Sequence, residues 1–143
     1  MKTSARNYYE GAVMTVRHGA VNDEVEILFN GSNTRVTAII TNASCKAMGL
    51  EPGKMAVVLI KEESVILVTD SDGVRFSSRN IFPGTVVSIK ENGGIAYVNM
   101  RLIGGEPLSA LVSSEALSSL GIKAGDKLSA IVKAPAIVVG VKV

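Results

Sequence analysis

Tryptophan is absent, and tyrosine and phenylalanine supply only three residues each, so aromatics make up 4% of the chain. A surface on which successive bases stack needs more rings than this, which weighs against a single-strand nucleic-acid binder. Neither sign of charge dominates: Lys plus Arg is 15 against 13 for Asp plus Glu, leaving no broad basic field for a polyanion. The single cysteine, Cys45, excludes an internal disulfide and a multi-thiolate zinc site. It fits a reducing compartment and reads as a small, partly buried residue. No stretch approaches the roughly 20 apolar residues of a membrane span. The segment MKTSARNYY lacks the apolar run of a signal peptide. The expectation is a soluble, cytoplasmic protein with neither nucleic acid nor membrane as a partner.

What is present is aliphatic. Hydrophobic residues make up 47% of 143, so the core must be built from Val, Ile, Leu, Ala and Met, which suits a compact barrel of β-branched strands. The length allows one ordinary domain or two very small ones, and two small ones would need to lean on each other or on other subunits.

The chain is a repeat. "SARNYYEG" from Ser4 returns as "SSRNIFPG" from Ser77, with Arg6 and Arg79 separated by 79 − 6 = 73 positions. Further on, Gly49 and Gly121 are 121 − 49 = 72 apart, as are Lys61 and Lys133, which places a one-residue deletion between the anchors, most simply in the turn GSNT versus GGEP. A register held through both halves marks duplication. The expected organisation is a module over residues 4–70, a turn-rich linker at 71–76, and a second module over 77–143.

Within each module, alternating apolar stretches and Gly-rich turns predict three strands, then a short helix over NASCKAMGLEPG or SEALSSLGIKAG, then two more strands. Asn42 or Ser114 can cap the helix start, and Gly49 or Gly121 can end it. Five strands with a helix between the third and fourth is the element order of an OB-type barrel, so the fold expected is all-β, two tandem OB-fold-like modules.

No enzyme constellation emerges. His18 has no second histidine, cysteine or paired acid at ligand spacing and reads as an exposed turn histidine. There is no nucleophile elbow, no P-loop and no repeated carboxylate pair, with Glu62 and Glu63 answered by Ala134 and Pro135. What recurs is a set of donors: Ser4 with Ser77, Arg6 with Arg79, Asn7 with Asn80, Thr41 with Ser113, and Lys61 with Lys133. Taken singly, each could be ordinary surface polarity, the lysines snorkelling from strand ends. As a register-locked set, they predict a place rich in positive charge and hydrogen-bond donors, without a carboxylate to accept a proton. That favours a fully deprotonated oxyanion, sulfate, molybdate or tungstate, over phosphate. A second, weaker cluster is the turn Gly19, Ala20, Val21, Asn22, whose amides could meet an anion; as a hairpin turn it needs no function.

"SARN…G" before the first strand, "GAVNDEV" at the first hairpin, "ITNASCKAMGLEPGK" and "LIKEESVILVTD" together resemble the molybdate-binding Mop or TOBE domain of the molbindins. Two copies in succession resemble the tandem-Mop molbindins of the ModG type from the bacterial cytoplasm. The resemblance implies OB-like modules assembled into rings, with a tandem chain forming a homotrimer, and molybdate or tungstate held between modules. One module would offer the SARN and ITNxS segments, and a neighbour the lysine. It implies oxyanion contacts from Ser4, Ala5 (through its backbone), Arg6, Thr41, Ser44 and Lys61 in the first copy, and from Ser77, Ser78, Arg79, Ser113 and Lys133 in the second. Gly19 to Asn22 would form a site near the symmetry axis, for which Asn92 to Ile95 departs from the pattern. Ser44 is answered by Ala116 and Ser64 by Ala136, so the second copy lacks hydroxyl donors. The resemblance implies no catalysis and no catalytic cofactor; molybdate is the ligand, in a role of storage and homeostasis. Other proteins with the domain are molybdate-responsive regulators and importer ATPases. Neither a helix-turn-helix segment nor a Walker loop occurs here, and an oligonucleotide-binding OB protein or a plain scaffold are the rivals from other classes.

Overall fold

A computed structural model describes residues 1–143. Strands β1 (Asn7–His18), β2 (Asn22–Phe29) and β3 (Arg35–Thr41) form a meander, followed by helix α1 (Asn42–Met48), β4 (Met55–Ile60), a 3₁₀ turn (Glu62–Ser64) and β5 (Val65–Val68). The second half repeats the series as β6 (Asn80–Asn92), β7 (Ile95–Leu102), β8 (Pro107–Ser113), α2 (Ser114–Leu120), β9 (Lys127–Val132), a 3₁₀ turn (Ala134–Ala136) and β10 (Val138–Gly140). The all-β, two-module expectation holds, with a short helix between the third and fourth strand of each half. No helix is long and apolar enough to cross a membrane.

Period-two alternation builds the strands. Asp23, Val25, Ile27 and Phe29 of β2 point inward while the residues between them are partly exposed. A bulge interrupts β1 against β2 between Val13 and Thr15, and β6 against β7 between Val86 and Ser88, which lets both long strands coil. The repeated glycine of the opening signature has a steric reason. A Cβ on Gly11 would stand 2.3 Å from the carbonyl oxygen of Leu28, and one on Gly84 2.6 Å from that of Arg101.

The helix caps sit one residue earlier than the sequence predicts. Thr41 and Ser113 are the N-caps, their hydroxyls accepting from Ser44 N at 3.1 Å and Ala116 N at 3.0 Å. Asn42 is committed elsewhere, donating to Asp23 Oδ1 at 2.5 Å. Gly49 and Gly121 end the helices in the left-handed region, as expected. The deletion also falls where the register places it. Phe29 closes onto Thr34 across the first β2–β3 turn and Leu102 onto Glu106 across its one-residue-shorter counterpart. The two turns meet, Thr34 Oγ1 donating to Glu106 Oε1 at 2.6 Å.

The sheets do not follow the sequence boundaries. The strand order is β10-β4-β1-β2-β3 in one sheet and β5-β9-β6-β7-β8 in the other, so each half lends its last strand to its partner. The 3₁₀ turns steer this exchange, Glu62–Ser64 packing on β8 and Ala134–Ala136 on β3. A single cluster of 29 buried side chains, including Val25, Val58, Val98 and Val132, runs through both halves, so two undersized modules share one core.

Candidate functional site

Sheet register decides where the repeated donors go. Asn7 pairs with Ile60 and Asn80 with Val132, so the residue before each asparagine lies beside the residue after each strand: Arg6 beside Lys61, and Arg79 beside Lys133. Each Ser-x-Arg segment thus meets the lysine of its own half. The resemblance had implied a lysine from a neighbour; within one chain it is the third strand that comes from the other half.

The asparagines make that junction. Asn80 is 1% exposed; its Oδ1 accepts from Thr37 N at 2.8 Å and its Nδ2 donates to Thr37 O at 2.7 Å. Asn7, 3% exposed, does the same at Ser109, with Ser109 N to Oδ1 at 2.8 Å and Nδ2 to Ser109 O at 2.9 Å. Thr37 and Ser109 are themselves counterparts in the repeat, so the clasp is doubled about a pseudo-twofold. In each, one side chain satisfies both backbone groups of a residue in the opposite sheet. The sequence shows the repeat of Asn7 and Asn80 but not their bonding, because the partner is backbone and leaves no mark in residue type.

Around Arg79 the clasp borders an open pocket of about 260 Å³, lined by Ser77, Ser78, Arg79, Lys133, Ala134 and Pro135 of the second half and Glu24, Thr37 and Ile39 of the first. Ser78 Oγ donates to Val132 O at 3.0 Å and accepts from Asn80 N at 3.1 Å, fixing the entry to β6. Thr41 lies two residues beyond Ile39 on β3, roughly 7 Å along the strand, and its hydroxyl and that of Ser44 are 2.9 Å apart. The second half's Arg and Lys therefore face the strand that leads to Thr41 and Ser44, and the first half's Arg faces the strand that leads to Ser113.

Around Arg6 a groove of about 200 Å³ includes Arg6, Asn7, Tyr8, Asn99 and Ser109. Lys61, Ser4 and Ala5 do not line it. Lys61 pairs with Glu63 at 3.4 Å, and Ala5 N donates to Thr3 Oγ1 at 3.0 Å.

The expectation of a carboxylate-free site is overturned. Glu62 Oε1 stands 3.6 Å from Arg6 Nε, and Glu24 Oε1 pairs with Arg79 Nη1. Neither acid is repeated, since Tyr97 occupies the position of Glu24 and Ala134 that of Glu62. Arg6 accordingly lies over the Tyr97 ring, 5.7 Å from its centroid. Acids that enter once each from strand β2 and a 3₁₀ turn escape a search for repeated residues.

The Gly19–Asn22 turn is braced from beneath. Gly19 N donates to Asn22 O at 3.0 Å and Asn42 N to Val21 O at 3.0 Å, and a Cβ on Gly19 would fall 2.5 Å from Asn22 O. Register sets Asn22 opposite Thr41, which joins this turn to the α1 start. Below it, buried Asp23 accepts from His18 Nδ1 at 3.0 Å and from Asn42. Burial pushes the Asp23 carboxyl up, but hydrogen bonds from Cys45, His18 and Asn42 outweigh it and hold it below the usual carboxylate range. Burial first, and Asp23 second, push the Cys45 thiol up to about 11. His18 is exposed, as expected, yet it has a paired acid that sequence spacing did not reveal. No cluster of three or more His, Cys, Asp or Glu side chains could hold a metal ion. The counterpart turn, Asn92 to Ile95, is a tight hairpin with Gly93 and Gly94 both at positive φ, a different shape.

Comparison with known proteins agrees with this arrangement. The TOBE domain model matches twice, over residues 3–67 and 77–139. The crystal structure of the cytoplasmic molybdate-binding protein ModG with molybdate bound superposes with a TM-score of 0.95 at 41% identity, covering 99% of this chain and 100% of that one. The molybdenum transport protein ModE of Herbaspirillum seropedicae is 33% identical over 142 residues, covering 99% of this chain and 52% of ModE. The molybdenum-pterin-binding protein MopA of Rhodobacter capsulatus is 32% identical over 134 residues, covering 94% of this chain and 50% of MopA. The chain thus spans about half the length of these curated relatives. Two domain matches, over halves that share one core and clasp each other through repeated asparagines, establish that the chain belongs to the TOBE-domain family, of which it carries two copies.

Proposed function

We propose that this protein binds molybdate, or its near-isostere tungstate, as a cytoplasmic store and buffer of molybdenum, without catalysis. The observation that carries the reading is the Arg79–Lys133 cavity, where two cations and the Ser77–Ser78 segment converge on a strand from the other half. A dianion needs such convergent pairing, because burying it unpaired costs several kcal/mol. The whole-chain likeness to ModG supports molybdate as that anion.

In this reading Ser4, Ala5, Arg6 and Lys61 work with Ser113, and Ser77, Ser78, Arg79 and Lys133 work with Thr41 and Ser44. The place facing Thr41 and Ser44 has one more hydroxyl than the place facing Ser113 and Ala116, and binds more tightly. Gly19 to Asn22 forms the further, axial place. A homotrimer completes the sites. In its favour, each sheet carries an outward apolar row, Tyr8–Leu59–Val138 on one and Ile81–Ile131–Ile66 on the other, with the outer two residues of each row exposed. An anion that touches two subunits stabilises their assembly by mass action.

The match to half of ModE favours a second reading, in which the same anion sites serve as the sensing portion of a regulator. Titration of anion-free protein with molybdate, with and without excess sulfate and with the solution mass measured alongside, tests the common core. More than one anion per chain, resistant to sulfate, in a trimer is the expected result. Absence of binding would contradict both readings.

A further inference from the structure

We propose that Glu24 is a resident counter-anion of the Arg79–Lys133 cavity, displaced by the incoming oxyanion onto Arg17, so that it sets the affinity of that place alone. The inference rests on the oxyanion reading above.

Arg79 and Lys133 are brought side by side by sheet register, and their mutual repulsion favours a carboxylate beside them when no ligand is bound. Glu24 supplies it from β2 of the other half, pairing with Arg79. The same oxygen is 3.8 Å from Arg17 Nη1, the residue directly across the β1–β2 ladder, so a second cation waits within a rotamer change. The Glu24 side chain is 27% exposed and already within ion-pair distance of both arginines. A divalent oxyanion facing Arg79 and Lys133 repels the carboxylate and takes its place.

The other half has no such device. Its acid, Glu62, is only 11% exposed, and its second oxygen accepts from the Ser109 hydroxyl, which pins it. No further cation pairs with it, and the position of Glu24 is held by neutral Tyr97. The carboxylate near Arg6 is held by Ser109 as well as by its arginine, and the one near Arg79 is shared between two arginines.

The test compares wild type, Glu24→Gln, Arg17→Ala and Arg79→Ala as full chains. Molybdate is titrated by calorimetry, and Arg79 Nε–H relaxation is followed by NMR. Glu24→Gln is expected to bind molybdate about three- to five-fold tighter at the sites that Arg79→Ala abolishes, the range an exposed ion pair can offset. Arg17→Ala is expected to weaken the same sites. Arg79 should be restrained by Glu24 in anion-free wild type and mobile in anion-free Glu24→Gln. Molybdate binding to wild type with no gain in Glu24→Gln overturns the counter-anion and leaves the oxyanion reading intact. No binding to wild type overturns both.

Discussion

The surroundings of Arg6 and Arg79 are built from the same repeated residues and end up chemically different. Both arginines follow a serine by two positions, precede a buried asparagine, and stand beside a lysine at a strand end. Yet Arg79 meets Glu24 in a pocket it shares with Lys133, while Arg6 lies between pinned Glu62 and the face of Tyr97 in a groove that its lysine does not line. The lesson is a division of labour. Repeated residues fix the frame, and unrepeated ones, Glu24, Glu62 and Tyr97, give each place its electrostatic character.

The clasps should respond alike, and strongly. Asn7→Ala and Asn80→Ala each strand a backbone N–H and C=O in the opposite sheet, part-buried at Ser109 and buried at Thr37, an expected loss of about 2–5 kcal/mol in urea unfolding. Unequal losses would break the pseudo-twofold equivalence. Next in size, Gly11→Ala and Gly84→Ala force a methyl against a backbone carbonyl and should cost about 1–3 kcal/mol. Gly11 is the worse of the two because its approach is 2.3 Å against 2.6 Å. Tyr9 sharpens the contrast further. Its hydroxyl donates to Pro107 O at 2.5 Å across the halves, a bond that its counterpart Phe82 cannot make, so Tyr9→Phe should lose about 1 kcal/mol by thermal melt.

The smallest effect concerns Asp23, which the second half replaces with Ala96. Its folded carboxyl titrates below the ordinary range, so the stability it contributes is complete above the unfolded pKa and disappears as pH falls through the folded one. Wild type should therefore exceed Asp23→Asn in melting temperature at neutral pH, with the gap closing in acid. A gap independent of pH would remove the carboxylate from the account.

Much of this was legible in the residues. The offset of 73 passing to 72 located the shortened turn now seen at Ile103–Gly105, and Gly49 and Gly121 marked helix ends through their left-handed backbone. Strand exchange was not legible, since swapping β5 for β10 between like modules leaves every hydrophobic pattern unchanged. The cap falls on Thr41 and Ser113 in both halves alike, because those residues keep the extended backbone of the strand end while Asn42 and Ser114 already begin the helix. The donors near each arginine were found by repetition, and the carboxylates were missed because they do not repeat.

In the reading proposed here, each Ser-x-Arg segment with its lysine makes a distinct oxyanion place. Equilibrium dialysis against molybdate, counting molybdenum per chain in wild type, Arg6→Ala, Arg79→Ala and the double variant, tests it most directly. Each single substitution is expected to remove a different subset of the bound anion, and the double variant both subsets. Unchanged stoichiometry in both single variants would contradict it.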